Sequence, residues 1–113
     1  MFNFLKALFT SSENEVRESS LLNGAVVLDV RTPSEYEQGH LQGSRNIPVS
    51  EIRSQLEIIR RWNRPVITVC RTGARSAAAK TALVAAGIEA YNGGAWSNLI
   101  NHNRKEGTHL PLI

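Results

Sequence analysis

The sequence predicts an α/β protein: a three-layer sandwich with a central, mostly parallel sheet flanked by helices. Three observations carry that expectation. "AVVLDV" (25–30) and "VITVC" (66–70) are short β-branched apolar runs of the kind found in strands buried on both faces. The segments between and after them carry helix-start signals or apolar positions spaced to fall on one helix face. Short strands alternating with helices imply parallel pairings joined by right-handed crossovers. The chain has 113 residues, 42% apolar and 20% charged, which suits one soluble domain with a real core.

Taken in order, Ser12 followed by Glu15 fits a capping box opening a short helix, with Gly24 as its stop. "AVVLDV" is the first buried strand. Thr32, Pro33 and Glu35 start a second helix. Thr32 caps it, Pro33 takes the first turn where its missing N–H costs nothing, and Glu35 completes the box. Gly39 ends that helix after barely two turns. "RNIPV" reads as a short strand that Pro48 confines to an end or edge. Ser50 is the expected cap of the next helix, whose Ile52, Leu56 and Ile59 share one face. Pro65 leads into "VITVC". A helix is expected over residues 76–86, with Gly87 as a left-handed cap. "IEAYN" reads as the last strand, "GG" as a turn and "AWSNLINHN" as the final helix.

In such a sandwich, ligands sit outside the carboxyl ends of the strands. Cys70, the only cysteine, occupies that place, and so does Asp29-Val30-Arg31. A single cysteine forms no internal disulfide, which leaves a buried inert thiol, a reactive one or an intermolecular partner. The segment after it, "CRTGARS", supplies two arginines and a glycine that permits a tight or left-handed backbone. A curled loop entering a helix N-terminus turns several N–H groups toward one centre, where they bind anions and favour a thiolate. Arg71 and Arg75 add charge suited to a small anionic substrate. At this level sulfur transfer, phosphate-ester cleavage and redox work all remain open.

Charge excludes less than it suggests. The net charge is +3, spread along the chain, and Glu57 sits among Arg60, Arg61 and Arg64. A nucleic-acid surface needs a denser basic stripe with aromatic residues interleaved. Asn3 and Lys6 interrupt "MFNFLKALFT", and a polar, acidic stretch follows, so it reads as neither a signal peptide nor a span. It is expected to be a short amphipathic helix on the domain. The alternative is a membrane-surface or partner contact through Phe2, Phe4, Leu5, Leu8 and Phe9. No firm membrane association, no nucleic acid and a cytoplasmic location are expected.

Three ordered motifs then identify a family resemblance. "VVLDVRTPSEYEQGHLQGSRNIPVSEI", "VITVCRTGARSAAAKTALVAAGI" and "YNGGAWSNL" resemble the signatures of single-domain rhodaneses, the thiosulfate sulfurtransferase family. The last motif has a shorter gap before its tryptophan than the family pattern. The resemblance runs over roughly residues 20–100. Residues 1–19 are therefore expected to be an amphipathic and polar extension, 20–103 the domain and 104–113 a tail.

The resemblance implies that Cys70 carries a sulfane sulfur as a persulfide, taken from thiosulfate or a similar small anionic donor. A thiol or cyanide acceptor, a protein thiol among the candidates, would remove it. It implies an active-site and substrate-binding loop of Arg71, Thr72, Gly73, Ala74, Arg75 and Ser76. Asp29, Arg31, Glu35 and His40 match strong family positions and read as scaffold, with His40 satisfying a loop hydrogen bond rather than acting as a base. No metal or cofactor is implied, and a monomer or weak dimer is expected. Cysteine phosphatases place five residues between cysteine and arginine, whereas four separate Cys70 from Arg75, so loop length favours sulfur over phosphate or arsenate. A sulfur-relay partner or a non-catalytic binding module is the other alternative.

Overall fold

The computed structural model describes residues 24–99. In chain order they form β1 (Val26–Asp29), α1 (Pro33–Glu37), β2 (Arg45–Asn46), a 3-10 helix (Val49–Gln55), α2 (Leu56–Arg61), β3 (Val66–Cys70), α3 (Ala74–Ala85) and β4 (Ala90–Ala95). Residues 96–99 are helical. The strands form one parallel sheet in the order β2-β1-β3-β4, as the alternation of elements implies. The expected helix after Ser12, the amphipathic N-terminus and the C-terminal tail lie outside the described residues.

β1 and β3 are buried along their whole length, which explains why their sequences are mostly apolar. Successive side chains point to opposite faces. Leu28, Val66 and Cys70 therefore join Ile52, Ile59, Ala79 and Leu83 in one core layer, beneath the 3-10 helix, α2 and α3. Val27, Ile67 and Val69 pack with Leu41 and Leu99 on the opposite face. Burying each such side chain stabilises the fold by roughly 1.5–3 kcal/mol. The result is a three-layer α/β sandwich, as expected. No helix among the described residues is long and apolar enough to cross a membrane.

The start of α1 follows its sequence signal. The Glu35 N–H donates to Thr32 Oγ1 at 3.2 Å, and the Thr32 N–H donates to Glu35 Oε1 at 3.0 Å. The other starts differ from the sequence reading in instructive ways. β2 has only two residues: the Ile47 N–H still reaches Asp29 O, but Pro48 has no N–H to continue. Ser50 does not cap the next helix. The Val49 N–H is already tied to Val30 O, and Glu51 bonds back to Pro48 O, so winding begins two residues earlier, at Val49, and as a 3-10 turn. Ile52 and Ile59 are nevertheless buried, with Leu56 half-buried beside them.

α3 begins at Ala74 rather than Ser76, because Gly73 turns the chain with φ +102° and its carbonyl accepts the Ala77 N–H. Arg75 and Ser76 are thereby fixed in the first helical turn. The "GG" read as a turn lies within β4. Thr68 pairs with Asn92 and Val69 with Gly94, so Gly93 is the extra residue of a bulge. A Cβ on Gly93 would stand 2.8 Å from Ile67 Cγ2, 2.9 Å from Val69 Cγ1 and 3.0 Å from Thr68 O. Two branched core side chains and a strand carbonyl leave no room for it.

Gly93→Ala is therefore expected to lower unfolding stability in a urea titration by roughly 1–3 kcal/mol, the usual penalty for overpacking a core. Ala95→Gly, in the half-buried last position of the same strand, is expected to cost less.

Candidate active site

Cys70 is the last residue of β3 and has no exposed surface. Its side chain faces the α3 layer, and the chain then turns back over it through residues 71–73. The Gly73 N–H donates to Cys70 Sγ at 3.0 Å and the Ser76 N–H at 3.3 Å. The Ser76 hydroxyl lies 3.4 Å from the sulfur. Burial is the largest influence on the thiol and pushes its pKa up. The Ser76 side chain and the N–H groups of Ser76, Gly73 and Thr72 outweigh it, and the net shift is downward. The sequence-expected cradle thus forms, with its N–H groups supplied by loop and helix start together.

Two ion pairs brace this floor. Arg31, just past β1, is buried with Asp29: Nε donates to both carboxylate oxygens at 2.9 and 3.0 Å, and Nη2 to Oδ2 at 2.6 Å. Nη2 also reaches Gly39 O at 2.8 Å, and the guanidinium lies 4.7 Å from the centroid of the Trp96 ring. Nearer the loop, Arg75 grips Glu35 with Nη1 to Oε1 at 2.7 Å and Nη2 to Oε2 at 3.1 Å. The Arg75 hydrogen bonds and the Thr32 backbone N–H bring the Glu35 carboxyl down to a pKa of about 2. The Glu35 hydrogen bonds likewise raise the Arg75 pKa above its usual range. Glu35 therefore does two jobs, capping α1 and anchoring the first turn of α3.

The remaining sequence-expected residues separate clearly. Arg71, Thr72 and Ala74 are exposed, and among the described residues nothing engages the Arg71 guanidinium. Arg71 and Glu35 border a cleft of about 320 Å³ with Arg31, Gln38, Gly39 and Trp96. His40 lies apart from the thiol's hydrogen bonds: its ring stacks on Tyr36 at 3.5 Å, and Nδ1 sits 2.6 Å from Tyr36 O. Among the described residues, no three His, Cys, Asp or Glu side chains gather into a metal-holding group.

One residue the sequence reading passed over stands directly behind the cradle. Asn92 Oδ1 accepts from the Ser76 hydroxyl at 2.7 Å and from the Gly94 N–H at 2.9 Å. Its Nδ2 donates to Gly73 O at 3.3 Å. Thr68 Oγ1 donates to Ser76 O at 2.8 Å from the neighbouring strand. An asparagine before two glycines suggests a turn, and only the bulge explains why it instead reaches the loop.

The chain belongs to the rhodanese-like domain family, whose model matches residues 12–98. It is 38% identical over 84 residues to the uncharacterized protein YqhL of Bacillus subtilis, covering 74% of this chain and 64% of that one. It is 37% identical over 57 residues to the thiosulfate sulfurtransferase PspE of Escherichia coli, covering 50% and 55%. The chain thus spans less than two thirds of the length of both curated relatives. Among solved structures, a rhodanese with anions from E. coli superposes with a TM-score of 0.64 at 27% identity, covering 80% of this chain and 98% of that one.

The Glu35–Arg75 pair gives the site a pH signature. Because Glu35 drops from 4.5 to about 2 on folding, its contribution is fully present above pH 4.5 and is lost as pH falls through about 2. Glu35→Gln is expected to lower stability at pH 7 by a few tenths to about 1 kcal/mol, the range for a partly exposed pair. The gap to wild type in urea titrations should close between pH 4.5 and 2.

Proposed function

We propose that this rhodanese-family chain is a sulfurtransferase that moves a sulfane sulfur from thiosulfate or a similar donor to a thiophilic acceptor, through a persulfide on Cys70. The observation that carries this reading is the convergence of the Gly73 and Ser76 N–H groups on a buried sulfur at the end of β3. Such donors stabilise a thiolate before reaction and the terminal charge of a persulfide after it. The name of the E. coli relative supports thiosulfate as the first donor to try.

In the first half-reaction, the Cys70 thiolate attacks the outer sulfur of thiosulfate. A new S–S bond forms, the bond to the sulfonate sulfur breaks, and sulfite leaves with that electron pair. In the second, an acceptor thiolate or cyanide attacks the terminal sulfur, and Cys70 departs as thiolate. This is ping-pong covalent catalysis, and it needs no general base once the thiolate exists. Arg71, at the cleft and unengaged among the described residues, is the cation for the donor's oxygens, whereas Arg75 is committed to Glu35 and holds the loop.

The Arg75–Glu35 pair also weighs against phosphate-ester cleavage. A phosphate cradle needs its arginine turned toward the anion, and this guanidinium has both Nη atoms on a carboxylate.

Incubated with thiosulfate, the wild-type protein is expected to gain the mass of one sulfur atom in intact-protein mass spectrometry, and Cys70→Ser is expected to gain none. A wild-type mass left unchanged by thiosulfate and by organic persulfides would end this reading. Arg71→Ala should raise the thiosulfate KM on the order of tenfold, the loss of one charge-assisted contact, with less effect on an uncharged donor.

A further inference from the structure

We propose that Asn92 is a positioning residue for Cys70: it holds the Ser76 hydroxyl proton away from the sulfur and so sets how readily the thiol ionises. Two fixed partners determine which end of the Asn92 amide faces Ser76. The Gly94 N–H, at 2.9 Å, requires an oxygen opposite it, and Gly73 O, at 3.3 Å, requires the NH2. Oδ1 therefore faces Ser76, and at 2.7 Å the serine must be the donor.

A hydroxyl has one proton. While it points to Asn92, Ser76 Oγ presents lone pairs to Cys70, and the S–H can donate to it across 3.4 Å. That arrangement favours the thiol. When the thiol loses its proton to solvent, the Ser76 proton rotates to the thiolate, and Asn92 Oδ1 keeps the Gly94 N–H. Apart from the S–H proton lost to solvent, only the Ser76 proton moves, and no bond between heavy atoms changes. Gly73 O, at 3.1 Å, is a second resting place for the same proton, but a longer one. Asn92 and the thiolate thus compete for one hydrogen, while the Gly73 and Ser76 N–H groups serve both states.

The charged groups around the thiol leave this competition intact. Arg75 of α3 is paired with Glu35 of α1, and Asp29 at the end of β1 with Arg31. Arg71 lies in the loop itself, and β4 supplies no charged side chain. A substitution at Asn92 therefore changes the Ser76 proton and the loop anchor at Gly73 O, and these two effects have opposite signs. Freeing the serine proton lowers the pH at which the thiolate forms; slackening the loop weakens the Gly73 N–H bond and raises it.

The experiment is the pH profile of Cys70 alkylation by iodoacetamide, with folding of each variant followed by circular dichroism. This inference rests on Cys70 as the attacking group, but alkylation reads ionisation whether or not sulfur is transferred. A failure here is therefore distinct from a failure of the sulfurtransferase reading. Asn92→Ala is expected to move the midpoint down by about half to one pH unit, the worth of one hydrogen bond. Asn92→Asp, which keeps the acceptor and charges it, should move it up. With Ser76→Ala already in place, Asn92→Ala should produce no downward shift. An upward or absent shift in Asn92→Ala, or the same downward shift without Ser76, overturns the proposal. Should Asn92→Ala not fold, Asn92→Asp decides alone, and a midpoint that fails to rise overturns it.

Discussion

Everything near the thiol depends on one constraint: a buried sulfur must be met by backbone N–H groups at the point where a parallel strand ends. A thiolate without water is costly to hold, and hydrogen-bond donors lower that cost only if they converge on it. Cys70 has no exposed surface, and its donors come from Gly73 and Ser76, three and six residues on. For both to reach one atom, the chain must reverse within residues 71–73 and enter α3 at once. The left-handed Gly73 makes that possible.

The loop is held in this shape from three directions. From α1, Glu35 fixes Arg75 in the first turn of α3, and the same carboxylate caps α1 through the Thr32 N–H. From β3, Thr68 ties Ser76 O. From β4, Asn92 ties Ser76 Oγ and Gly73 O at once. The bulge at Gly93 joins this bracing to the core. It puts Gly94 against the loop, where a Cβ on Gly73 would lie 3.5 Å from Gly94 Cα. Core packing on β3 and the shape of the cradle are thus not independent.

Buried polarity follows the same economy. Among the described residues, Asp29, Arg31, Thr68 and Ser76 are the buried polar and charged ones, and no buried side-chain nitrogen or oxygen lacks a partner. The Asp29–Arg31 pair is set into the end of β1, where Arg31 also reaches Gly39 O and the Trp96 ring. Removing one member of such a pair strands the other charge, which costs roughly 3–5 kcal/mol. Its place between β1, the turn after α1 and residues 96–99 makes it a lock on the wall of the cleft.

Local signals were legible in the sequence wherever one residue type meets a nearby backbone need. The Thr32–Glu35 capping box and the buried runs around Leu28 and Ile67 are of that kind. So is the placing of Cys70 at a strand's carboxyl end, and with it the cradle of "CRTGARS". Only the tertiary structure decided which partner each charged or polar group takes. Arg75 meets a carboxylate forty positions earlier, Asn92 meets a serine on another element, and "GG" becomes a bulge. Each of these depends on how β3, β4, α1 and α3 pack together. Hydrogen bonds and ion pairs act over a few ångströms of space, and distance along the chain does not reveal which groups will share it.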